Sequence, residues 1–208
     1  MPVTYLNHPL LQYKISKLRD ANINCHNFRQ ITEQIAEIMT IEALKDIHTE
    51  AVSVSTWSGP ASGVKIDEQK LTIVPILRAG IGMLNGVLHF LNDTSVSVLG
   101  MYRNEDTLTP TPYYEKCVKN IDDCMAIVID PMLATGGSLS EAMSFLKSRG
   151  CKKIKALVIV AAPEGIKKIS TVHPDIDLYV GTLDDHLNQN GYIIPGLGDA
   201  GDKIFGTI

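Results

Sequence analysis

Asp130 closes an apolar run, and Thr135-Gly136-Gly137-Ser138 follows before a helix-like pattern begins; the segment reads IVIDPMLATGGS. Two adjacent glycines let backbone N–H groups converge on one point. Thr135 and Ser138 add hydroxyl donors. The helix that follows aims its free N–H groups and its positive end at the same place. Residues 134–138 therefore suit a phosphate monoester. A carboxylate at Asp130 would repel that phosphate, so it is expected to face the vicinal hydroxyls of a sugar instead. The plain alternative is a Gly-Gly turn with Ser138 and Glu141 as a capping box. No Gly-Lys-Ser/Thr follows, and the spacing is not a dinucleotide fingerprint, which disfavours a kinase or a dehydrogenase.

Two arginines stand at predicted strand ends. Arg78 follows LTIVPIL and precedes Ala79-Gly80, small residues that let backbone approach a bulky anion. Arg103 follows the run Ser95–Tyr102. Two guanidinium groups so placed can bracket a diphosphate. Two surface arginines in ion pairs would look the same in the sequence.

The chain end is unusual. Tyr192–Gly206 reads YIIPGLGDAGDKIFG, with four glycines and one proline among apolar residues. A frayed tail would be more polar. Apolar walls suit a flat base, and glycine backbone offers hydrogen bonds without bulk. Ile193–Gly198 holds no Asn, Gln, Ser, Thr or charged residue, so backbone groups are expected to read the ring edge. The alternative is a segment that only fixes the C-terminus against the sheet.

These loops need a frame. Apolar spacing at Phe28, Ile31, Ile35, Ile38 and Leu44 predicts a helix over roughly 28–45, capped by Asn27. Buried strands are expected at Leu71–Leu77, Ser95–Tyr102, Met125–Asp130, Ile154–Ala161 and Asp177–Thr182. Helices are expected at Met83–Leu91, Ser138–Ser148 and Glu164–Ser170, and a helix or arm in the first 20 residues. Asn104–Asn120 reads as a long excursion, and Lys152, Lys153 and Lys155 as a solvated lead-in to a strand. Continuous apolar strands alternating with helices indicate one α/β domain, a mostly parallel central sheet flanked by helices. The functional loops then belong at the carboxyl ends of the strands.

Composition narrows the classes. The 208 residues carry 19 Lys plus Arg and 23 Asp plus Glu, a formal charge of −4 that argues against a general nucleic-acid binder. The longest apolar run is Ala156–Ala162, too short for a membrane span. Met1–Pro9 does not read as a signal peptide, so a cytoplasmic location is expected. Cys25, Cys117, Cys124 and Cys151 show no C-x-x-C pair or zinc spacing, and free thiols are expected. The six histidines lie outside the three loops, each read as surface or core.

DPMLATGGS resembles the phosphoribosyl-pyrophosphate motif of the type I phosphoribosyltransferases, in the variant with Pro131 that is similar to the uracil phosphoribosyltransferase family. VPILRAGIGM, GMYRNEDTLTPTPYY and YIIPGLGDAGDKIFG resemble that family's next segments, in the same order and over nearly the whole chain. Residues 21–27, 51–62 and 183–189 fit less well. The resemblance implies transfer of phosphoribose from phosphoribosyl pyrophosphate to uracil, giving UMP and diphosphate. It implies a type I fold with an N-terminal arm and a C-terminal hood over the base. The implied catalytic set is Asp130, Asp199, Arg78 and Arg103. Both arginines would contact the diphosphate, with an unusual cis-type backbone around Arg78-Ala79. Asp130 would hold the ribose hydroxyls, and Pro131, Met132 and Leu133 would continue the substrate wall. Ala134, Thr135, Gly136, Gly137 and Ser138 would hold the 5′-phosphate. Tyr192, Ile193, Gly198, Asp199 and Ala200 would surround the base and reacting centre. Mg2+ is implied through the cosubstrate's diphosphate, with no protein metal ligand. Residues 104–120 resemble a closing flap. GTP as activator and a homodimer or homotetramer are implied as well. The readings left beside it are another base specificity on the same fold, or a regulatory UMP- or RNA-binding protein.

Overall fold

The computed structural model describes residues 1–103 and 110–207, with the side chains of Arg103 and Pro110 outside the description. In chain order the elements are β1 (Val3–Tyr5), α1 (Pro9–Leu18), α2 (Cys25–Ala43), β2 (Glu50–Thr56), β3 (Gly59–Lys65), β4 (Leu71–Leu77), α3 (Ile81–Leu88), β5 (Ser95–Val96) and β6 (Val98–Arg103). They continue with β7 (Pro110–Lys116), β8 (Met125–Leu133), α4 (Gly137–Ser148), β9 (Lys153–Ala161), α5 (Pro163–Val172), β10 (Asp177–Leu183), β11 (His186–Leu187), β12 (Ile193–Ile194) and α6 (Ala200–Phe205).

The main sheet runs β1-β10-β9-β8-β4-β6-β7, with β5 beside β4. Its pairings are parallel except β6 with β7. β4 and β8 are neighbours, but the chain leaves β4 toward β6 and leaves β8 toward β9. Strand order therefore reverses between them, and a crevice opens outside their carboxyl ends. Apolar clusters lie on both faces: one joins Ile73, Ile127 and Ile129 to Phe28, Ile35 and Met39 of α2, the other joins Val74 and Val128 to Leu139, Ala142, Met143 and Leu146 of α4. Adjacent strand residues thus serve opposite layers, which is why these strands lack alternation.

α2 begins at Cys25, earlier than its apolar periodicity indicates. The cap is Asn24, whose Oδ1 accepts from the Asn27 N–H at 2.8 Å. Asn27 is therefore a helical residue that receives the cap. Phe28, Ile35 and Met39 are fully buried, each contributing about 1.5–3 kcal/mol as an upper estimate.

Two expectations change, and one element was not anticipated. Part of the excursion, Pro110–Lys116, is strand β7, antiparallel to β6; Asn104–Thr109 lie outside the described residues. Lys155 is buried, donating to the Ala43 carbonyl at 2.7 Å and pairing with Asp46. It satisfies an orphan acceptor at the end of α2, which covers that part of the sheet. Finally, β2 and β3 form an antiparallel hairpin that carries no clear pattern in the sequence. Most of its residues are exposed on both faces, so no alternation arises, and Trp57 at its tip is 99% exposed.

Candidate active site

β8 runs three residues beyond Asp130, to Leu133. Asp130 is thus not the last residue of the strand, as the apolar run suggests. β9 supports the extension through Asp130↔Val158, Met132↔Val160 and Leu133↔Ala161. On the other side β4 stays paired only as far as Pro75↔Ile129 and then turns to β6. Pro131 therefore occupies a one-sided edge, where its missing N–H leaves no ladder bond broken.

The turn after β8 ends at Gly136, with φ 75°, and α4 starts at Gly137 without a side-chain cap. A Cβ on Gly136 would stand 3.0 Å from the Gly165 carbonyl oxygen of α5, in a left-handed conformation that side chains rarely adopt. Behind the loop, buried His173 at the end of α5 lies with Nε2 3.1 Å from Ser140 Oγ. Burial, and then the Lys147 charge, lower its pKa, so the ring ties α4 to α5 as a neutral group. The result is a fixed helix start that no side chain caps and that lines the crevice.

Asp130 is half-buried at the floor. Loss of solvation raises its pKa to about 7, opposed only by the Met132 N–H, which Oδ1 accepts at 3.3 Å. A carboxyl so tuned sits where a cationic or hydroxyl-rich ligand would recover the lost hydration.

Across the crevice, a cis peptide bond joins Leu77 to Arg78, one bond before the Arg78-Ala79 step to which the resemblance points. Arg78 lies over the Phe205 ring at 5.7 Å and donates from Nη2 to Asp202 Oδ1 at 2.9 Å. The Thr207 hydroxyl, and then Arg78, hold the Asp202 carboxyl below its usual range. Gly80 is pressed between strands: a Cβ there would meet Ile129 O at 2.5 Å, Ile76 N at 2.6 Å and Ile76 O at 2.7 Å. Every obstacle is backbone, so Gly80→Ala is expected to destabilise by about 2–3 kcal/mol. For a chain of this length that lowers Tm by roughly 4–12 °C in calorimetry. An unchanged Tm would show that the turn relaxes freely. Arg103 ends β6, the strand between β4 and β7; its side chain is outside the description.

The C-terminal loop closes the third side. β11 and β12 pair as a short antiparallel ladder, His186↔Ile194 and Leu187↔Ile193, and a cis bond joins Ile194 to Pro195. Asp199 caps α6, its Oδ1 accepting from the Asp202 N–H at 2.9 Å. Ala200 is buried at the start of that helix. Gly198 has φ 73°, and a Cβ there would come no closer than 3.5 Å to Lys203. Within the protein its need for glycine is thus conformational.

Together these elements enclose a cavity of about 530 Å³, lined by Asp130, residues 132–139, Asn190–Ile193, Gly198 and Asp199. Of the residues expected from sequence, the structure brings together the whole phosphate loop, Asp130, Tyr192, Ile193, Gly198 and Asp199. Pro131 and Ala200 are buried behind the lining. Arg78 stands beside it, against α6. Sequence reasoning missed Asn190 and Gly191 on the wall and Asp202 as the partner of Arg78. Asn190 lies in a polar stretch, and its position depends on how β11 and β12 pair. Among the described residues, no group of three or more His, Cys, Asp or Glu could hold a metal ion, and no helix is long and apolar enough to cross a membrane.

With this geometry in place, the comparisons are specific. The family described as uracil phosphoribosyltransferase matches residues 5–207. A solved structure described as the AQ2163 protein from Aquifex aeolicus is 36% identical, with TM-score 0.94, covering 98% of this chain and 97% of that one. An adenine phosphoribosyl transferase from Trypanosoma brucei, solved with AMP, pyrophosphate and ribose-5-phosphate, shares 12% identity at TM-score 0.56, covering 91% and 88%. A hypoxanthine-guanine phosphoribosyltransferase from Bacillus anthracis shares 12% at TM-score 0.52, covering 74% and 78%. The last two show likeness of fold.

Proposed function

The chain belongs to the uracil phosphoribosyltransferase family, and from that premise we propose how its residues divide the reaction. The reaction transfers phosphoribose from phosphoribosyl pyrophosphate to uracil, giving UMP and diphosphate. One observation carries the assignment of residues: a phosphate-suited helix start, Asp130, and Ile193 and Gly198 of the apolar, glycine-bearing loop line one cavity.

In this reading residues 134–138 hold the 5′-phosphate through backbone N–H groups at the start of α4. Asp130 accepts from the ribose hydroxyls. Arg78 and Arg103 grip the diphosphate, Arg78 exchanging its contact with Asp202 for the ligand. Tyr192, Ile193 and Gly198 hold uracil with N1 toward the anomeric carbon. Bond formation from N1 accompanies departure of the diphosphate and loss of the N1 proton. Positive charge grows on the sugar, and Asp199 is placed to favour it. Positioning and charge suffice here, without a nucleophilic side chain. Mg2+ would be held mainly by the cosubstrate's diphosphate oxygens, and the two carboxylates of the cavity wall, Asp130 and Asp199, give that cation an acidic surrounding. When bound it would neutralise the leaving diphosphate.

An oligomer, dimer or tetramer, is part of the proposal; the exposed Trp57, Val54 and Val64 of the hairpin support a contact between copies. Light scattering tests that. GTP activation rests on family resemblance and is tested by adding GTP to the assay below.

Purified protein with labelled uracil, phosphoribosyl pyrophosphate and Mg2+ is expected to form UMP, and chelation to suppress it. Product with adenine or hypoxanthine in place of uracil would overturn the base assignment.

A further inference from the structure

We propose that Arg19 and Asp184 are positioning residues for uracil, acting through the backbone of Gly196; this rests on reading Ile193–Gly198 as the base loop. Arg19 caps the C-terminus of α1, immediately after the fully buried Leu18. Its guanidinium meets the Asp184 carboxylate with two bonds, Nη2 to Oδ1 at 2.5 Å and Nη1 to Oδ2 at 2.9 Å. Asp184 is 5% exposed, sits directly after β10, and anchors to the Ala161 carbonyl through its own N–H at 2.8 Å.

The pair does not stop at itself. Asp184 Oδ2 also accepts from the Gly196 N–H at 2.7 Å, and Arg19 Nη1 also donates to the Gly196 carbonyl at 2.8 Å. Both backbone groups of Gly196 are thereby engaged. Next to it Pro195 has no N–H, and the Ile194 carbonyl accepts from the Asp185 N–H at 2.9 Å. The middle of the loop therefore faces inward to its support, and Gly198 presents backbone to the cavity. A buried carboxylate without its cation would be strongly unfavourable. The pair thus fixes Gly196 in one place, and Gly198, two residues on, inherits that register. Among the described residues, the side-chain hydrogen bonds of Arg19 and Asp184 run to each other and to Gly196, and none reaches residues 134–138 or Asp130. The consequence is selective: loosening it should disturb uracil and leave the cosubstrate site intact.

The test is steady-state kinetics on the full-length enzyme. Arg19→Ala should raise the uracil KM by roughly ten- to hundred-fold, the order expected for losing one or two backbone hydrogen bonds to the base. The phosphoribosyl-pyrophosphate KM and the kcat at saturating uracil should stay within about threefold, the pattern of lost ground-state binding. Arg19→Lys should fall between, since one ammonium cannot make the fork and also reach the Gly196 carbonyl. The double variant Arg19→Gln/Asp184→Asn leaves no buried unpaired charge and guards against misfolding; it should show the same selective rise. Folded variants with wild-type uracil KM would overturn the proposal, as would both KM values rising in step. If wild-type enzyme makes no UMP, the functional reading fails and this one falls with it.

Discussion

Asp130→Asn is expected to weaken cosubstrate binding while making the protein more stable. On the ligand side, the amide offers one acceptor where the carboxylate offers two charged ones. Loss of a charge-assisted bond of about 1.5–3 kcal/mol predicts a roughly ten- to hundred-fold fall in affinity for phosphoribosyl pyrophosphate by calorimetric titration. On the stability side, the folded pKa of about 7 lies above the ordinary 3.8. Such a carboxyl keeps its full contribution to stability below 3.8 and loses it as pH rises through about 7. The amide removes this penalty and retains the acceptor for the Met132 N–H. The gain in stability over wild type, read as a higher Tm, should therefore grow across that window and level off above it, where it is on the order of a few kcal/mol. Wild-type affinity should also strengthen as pH rises through about 7. That rise should exceed the one shown by the Asp130→Asn variant, in which only the ligand's own phosphates titrate. Equal melting curves at high pH would remove the buried-charge account. Unchanged affinity would remove Asp130 from the ribose.

Cytosine is expected to be a very poor substrate, disfavoured by a factor of roughly 10⁴–10⁵ in kcat/KM. Ile193 is an apolar wall, and Gly198 brings only backbone. An N–H aimed at the 4-carbonyl of uracil has no partner when cytosine puts an amine there. The structure adds a rival that composition did not: Asn190 also lines the cavity, and an amide can donate. Asn190→Ala separates the two. If discrimination survives the substitution, backbone reads the base. If it collapses, the Asn190 side chain does, and the backbone account is wrong.

What the sequence determined by itself is local. The strands around Ile73, Val128 and Val158 and the helices between them follow from apolar blocks and their punctuation. The phosphate loop follows from Gly136-Gly137 placed between such a strand and such a helix. These features depend on neighbours within a few residues, and so does the apolar, glycine-rich character of Ile193–Gly198. What only the tertiary structure decided is which distant groups meet. Arg19 finds Asp184, 165 positions away, and Arg78 finds Asp202, 124 positions away. Asn190 reaches the cavity through the pairing of β11 with β12. Lys155 leaves solvent because the end of α2 covers it. Asp130 owes its pKa of about 7 to lost solvation at the floor of a crevice whose strand order no local pattern encodes. Periodicity reports which face of an element is buried, because burial acts on every turn or alternate residue. A single ion pair or hydrogen bond between remote segments leaves no periodic trace, and its partner is fixed only when the sheet assembles.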